Sequence, residues 1–104
     1  MDVNQLKDIS DRSYRIAVNK KNALEKARSS MLLAYSGHLF QANAETINLV
    51  QVLKNKLKKF VVLDSNQNPM MVEDPDDLLE RLITKQQEAL NIYHQSYADL
   101  TSKG

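Results

Sequence analysis

Imidazole and carboxylate are the groups of this chain with the widest chemical range, and their spacing decides what they could do. The two histidines are His38 and His94, and neither lies in an HExxH arrangement or in any other metal-ligand spacing. His38 is expected just after a turn and His94 on the polar flank of a helix, so neither is given a catalytic or metal-binding role. Glu73, Asp74, Asp76, Asp77 and Glu80 form an acidic block that could hold a hard cation or carry acid–base chemistry. The block matches no EF-hand ligand pattern, and helix capping already accounts for Asp74, Asp76 and Asp77. Cysteine is absent, which removes disulfides, thiolate nucleophiles, zinc–thiolate sites and iron–sulfur ligation. Gly37 and Gly104 are the only glycines, so no glycine-rich loop is available to cradle phosphates. The expectation is a protein that is not an enzyme and uses no cofactor, no metal and no small-molecule substrate.

Two other sets of residues suit binding. Lys54, Lys56, Lys58 and Lys59 form a basic cluster followed by Phe60 and could contact phosphates. Lysines in the last turn of a helix are also what the helix dipole favours, and arginine clusters and nucleic-acid motifs are missing. Formal net charge is +1, so overall electrostatics select for neither nucleic acid nor an anionic surface. The basic cluster and the acidic block could face each other or face partners. Tyr93 and Tyr97, one helical turn apart, and Tyr14 near the N-terminus are candidates for an interface, because a tyrosine buries its ring while its hydroxyl stays hydrated. They could equally pack the first helix against the last.

The elements that position these residues follow from periodicity and punctuation. Residues 4–29 contain neither Gly nor Pro and carry apolar residues at helical spacing at Leu6, Ile9, Ile16, Ala23, Leu24 and Ala27, with Ser13 and Lys20 interrupting the stripe. Such a helix is about 39 Å long, against a diameter of about 26 Å for a compact domain of this size, so part of it must project or pair with something equally long. Residues 31–42 read as a β-hairpin around Ser36-Gly37, since Gly supplies the positive φ of a two-residue turn. Continuation of the helix is the competing reading, at a cost of about 1 kcal/mol for a mid-helix Gly. Asn43 is a suitable N-cap for a helix over 44–58. Phe60–Leu63 reads as a short buried strand and pairs with Met70–Val72 in a second hairpin within 60–73, joined by a loop rich in Asn, Asp, Ser and Pro. Asp74-Pro75-Asp76-Asp77 starts a helix over 75–100: Asp74 caps free N–H groups, Pro75 is preorganised for the first turn, and the acids suit the positive end of the dipole. The expected fold is α+β in the order α-β-β-α-β-β-α, a single domain over 1–104, with coiled-coil-like pairing available to the terminal helices.

The stretch Tyr35-Ser36-Gly37-His38-Leu39-Phe40-Gln41-Ala42, then Leu63-Asp64 and Asn68-Pro69, then a final helix carrying Asn91 and Tyr93, resembles a group of small proteins of T-even-type contractile-tailed phages and their cyanophage relatives. In that group a Y-x-G-x-x-F-x-A stretch precedes a helix and an L-D…N-P hairpin. The resemblance covers about residues 31–100 and leaves the first helix outside. It implies a phage-encoded virion, assembly or accessory component and no reaction. The acidic, polar start Met1-Asp2-Val3-Asn4 lacks the pattern of a secretory signal, and no apolar run approaches a membrane span. The expected location is therefore cytoplasmic: the host cytoplasm, or the virion if the chain is phage-encoded. The expected function is protein interaction or assembly with self-association; the alternative is nucleic-acid binding through the lysine cluster.

Overall fold

The computed structural model describes residues 3–102, with side chains described over 10–100. Helix α1 spans Val3–Ser29, strands β1 Leu32–Tyr35 and β2 His38–Gln41, helix α2 Ala44–Lys56, strands β3 Phe60–Leu63 and β4 Pro69–Val72, and helix α3 Pro75–Ser102. The class is α+β, in the order read from the sequence. Each hairpin is a separate two-stranded antiparallel sheet, with Tyr35 opposite His38 in one and Leu63 opposite Pro69 in the other.

Local chemistry sets the boundaries. Ser36 and Gly37 both take positive φ, 50° and 79°, the combination of a type I′ turn whose twist matches that of the flanking strands. That turn ends the competing continuous helix. The Asn43 side chain accepts the Thr46 N–H at 2.9 Å, and the Asp74 carboxylate accepts the Asp77 N–H at 3.1 Å, so both expected caps are formed. Helix α2 stops at Lys56 and not at 58: Leu57 is already extended at φ −134°, ψ 145°, its N–H closing the last turn on the Leu53 carbonyl. Lys58 and Lys59 are thereby freed to lead into β3. Strand β4 begins one residue earlier than expected, at Pro69, which occupies an edge position where no ladder donor is needed. Helix α3 runs on to Ser102.

The molecule has two unlike parts. The core gathers Met31, Phe40, Ala42, Val50, Phe60, Val62, Met70, Val72, Leu78, Leu79 and Leu82 into a head made of both hairpins, α2 and the first turns of α3. Beyond it α1 and the distal part of α3 form a stalk. Lys20 lies over the Tyr97 ring, while Leu24, Arg28, Gln86 and Leu90 line one cavity, so the two helices run antiparallel. Ile16 and Ala23 are half-buried and Ala27 buried on α1, and Leu82 and Ala89 are buried with Gln86 and Tyr93 half-buried on α3; with Lys20 over Tyr97, these positions alternate steps of three and four residues in the manner of a coiled coil. Ala27 and Ala89 are 2% and 1% exposed; their small side chains let the two backbones approach closely. The result measures 66 × 23 × 22 Å, with a radius of gyration of 19.4 Å against about 13 Å for a compact chain of this length.

Candidate functional site

The three tyrosines singled out from the sequence divide between two places on the stalk. Tyr93 and Tyr97 lie together, ring centroids 6.3 Å apart, with the Lys20 ammonium 5.7 Å from the centre of the Tyr97 ring. This cation–π contact gives a charged residue at a seam position a partner within the seam. Tyr14 is on the other side: it falls about 160° around α1 from Ile16 at 100° per residue, and it is 72% exposed. Val18, one turn on, is also exposed, and Ser10–Arg15 are exposed without exception. The stalk thus carries an aromatic and a β-branched residue on the face of α1 turned away from α3.

The lysine cluster does not act as one body. Lys54 Nζ meets an Asp76 carboxylate oxygen at 2.6 Å, so the basic and acidic stretches face each other as the sequence allowed. Lys56 and Lys58 line the same open cavity of about 350 Å³ together with Asn55, Pro75 and Asp76. Lys59 precedes β3 and is exposed. One of the four cations is therefore satisfied within the chain, and the acid that satisfies it stands in the cavity beside the others.

Sequence reasoning missed the junction between the hairpins. Asp64 is 5% exposed. One of its carboxylate oxygens accepts the N–H groups of Asn66 at 2.8 Å and Asn68 at 2.9 Å; the other lies 2.7 Å from His38 Nδ1. The Asn68 N–H, then His38, then the Asn66 N–H hold this carboxyl below the usual carboxylate range against the opposing effect of burial. The Ser65 N–H donates to the Leu39 carbonyl at 2.8 Å, adding a backbone bond between the same two hairpins. The D-x-N-x-N spacing signals a side chain folding back on its own loop, but nothing local announces His38 as the third partner. His94 is exposed on α3, as expected.

A second junction ties β1 to α3. The Tyr35 hydroxyl donates to Asp77 Oδ2 at 2.9 Å, and the Arg81 guanidinium stacks 5.6 Å from the Tyr35 ring centre while contacting the same carboxylate at 3.4 Å. Burial, followed by the bond to Asp77, raises the Tyr35 phenol above its usual value. Asp77 is therefore more than a dipole partner of the first turn. Both junctions fix one element on another. Among the described residues no group of three or more His, Cys, Asp or Glu side chains is placed to hold a metal ion, and no helix is long and apolar enough to cross a membrane. No protein-family model matches the chain, nor does any curated protein or solved structure.

Proposed function

We propose that this chain is a non-enzymatic interaction or assembly protein, a phage virion or accessory component that engages its partner or further copies of itself through the long terminal helices. The observation that carries the reading is the stalk: a paired-helix rod on a body 66 Å long, with Tyr14 and Val18 uncovered on its outer face. A rod contributes little to a core of its own and offers surface along its length to others. Light scattering over a concentration series tests it directly. The expected mass rises above the 11.9 kDa of one chain and drops in a Tyr14→Arg/Val18→Arg variant. A chain that remains at one-copy mass, or whose mass the double variant leaves unchanged, overturns self-association through the stalk.

The alternative, nucleic-acid binding by Lys54, Lys56, Lys58 and Lys59, draws on the cluster alone, and the Lys54–Asp76 pair withdraws part of its charge. It requires a gel shift at low salt that vanishes as salt is raised and in a variant with the four lysines neutralised.

A further inference from the structure

In a two-stranded sheet with one face on the core, the other face meets water and is ordinarily polar. The first hairpin departs from this, exposing Leu32, Ala34 and Leu39 beside the one polar residue Gln41, and the second departs further. Phe60, Val62, Met70 and Val72 are buried, so the opposite face carries Lys59, Val61 and Leu63 from one side and Pro69, Met71 and Glu73 from the other. Val61, Leu63 and Met71 are 53%, 57% and 53% exposed, and Pro69 is exposed too. Four apolar residues thus stand together in water with no polar one among them. The register sets Val61 opposite Met71 and Leu63 opposite Pro69; Lys59 and Glu73, both exposed, flank the two strands just beyond the Phe60–Val72 pair, so this end of the face is bordered by one charge of each sign.

We infer that this outward face of the second hairpin docks the same face of a second copy of the chain, as a two-fold, face-to-face pair of hairpins. The charge pattern selects this occupant. A two-fold axis lying parallel to the strands sets each strand over the other copy's opposite strand at the same level. Val61 then meets Met71 of the other copy, Leu63 meets Pro69, and Lys59 meets Glu73 twice, once on each side of the axis. The face is complementary to itself in both shape class and charge, as an isologous interface must be. Stacked sheets sit about 10 Å apart, the thickness of one interdigitated layer of such side chains. The patch is small, so the association is weak and depends on concentration. This inference shares with the assembly reading only the claim that copies associate; it uses a different surface.

The test is sedimentation equilibrium on the full chain from micromolar to millimolar concentration, with circular dichroism confirming that each variant folds. Val61→Lys is expected to weaken dimerisation by about tenfold or more, whereas Tyr14→Arg/Val18→Arg leaves this dimer intact. Lys59→Glu and Glu73→Lys should each weaken it alone. Mixed in equal amounts they should form a heterodimer at or above wild-type strength, because every charged contact between copies is then between opposites. Repulsion within one copy, between Lys59→Glu and its cross-strand neighbour, is unchanged by mixing, so rescue on mixing reports the contact between copies alone. A wild-type chain of one-copy mass at millimolar concentration overturns the inference. So does a dimer indifferent to Val61→Lys, which assigns association to the stalk or another surface, and so does a mixture no heavier than its components.

Discussion

The head and the stalk share helix α3, yet they hold together in different ways. In the head, Leu78 and Leu82 of α3 are 0% exposed and are enclosed by two hairpins and α2. Three turns further along the same helix, Tyr93 is half-buried and Tyr97 is 41% exposed, with α1 as the helix beside them. An apolar stripe of constant spacing therefore gives two grades of burial according to how many elements reach it. Periodicity reports which face of a helix is apolar; it is silent on how much covers that face. Local stability should follow coverage, since segments with few buried apolar contacts open most readily.

The contrast breaks most visibly by truncation in the head. Leu78→Ala, removing a fully buried side chain from the core, is expected to cost about 3 kcal/mol in urea melts. Equal cost for Tyr97→Ala would show that the stalk is as tightly held as the head; a loss of about 1 kcal/mol or less is expected there. The junction of the hairpins responds to acid. Because the folded-state carboxyl of Asp64 is held below its ordinary value, the unfolded chain takes up protons first. The stabilisation it contributes is fully present above about pH 4 and is lost as pH falls through the depressed folded value. The wild-type advantage over Asp64→Asn should shrink correspondingly in acid melts, and a gap that stays constant below about pH 4 would remove Asp64 as its source.

Smaller effects separate backbone from packing. Asp74→Ala should cost about 1 kcal/mol through the lost cap to the Asp77 N–H, while Glu88→Ala on exposed α3 surface should cost less than about 0.5 kcal/mol. A Cβ at Gly37 would meet nothing within 4 Å, so Gly37→Ala should cost about 1 kcal/mol from its φ of 79° alone. Gln67 holds φ 65° without being Gly, and Gln67→Gly should accordingly gain up to about 0.5 kcal/mol. A loss there would mean that the Gln67 side chain contributes to the loop.

What was legible in the chain was local. Ser36-Gly37 named its turn, and Asn43 and Asp74 named their helices. The pairings that assemble these pieces were not legible, because their partners are distant in sequence: His38 with Asp64 is 26 residues apart and Tyr35 with Asp77 is 42. An acid explained by a cap or a turn gave no reason to look further, yet Asp64 and Asp77 each serve a second element. The outward quartet of the second hairpin was hidden for the opposite reason. Phe60–Leu63 read as a buried strand because every residue in it is apolar, a pattern that implies cover on both faces, and the structure supplies cover on one.

The antiparallel stalk also has a mechanical consequence. Lys20 over Tyr97, with Leu24 and Arg28 beside Leu90 and Gln86, brings the start of α1 and the end of α3 to the same tip, remote from the hairpins. Tension applied between those two ends loads the helix pair like a zipper and not like a lap joint: its contacts meet the force in succession, beginning at the tip. The stalk should therefore peel open at low force and lengthen the tether while the head, with its layered core, stays closed until the opening reaches Ala27 and Ala89.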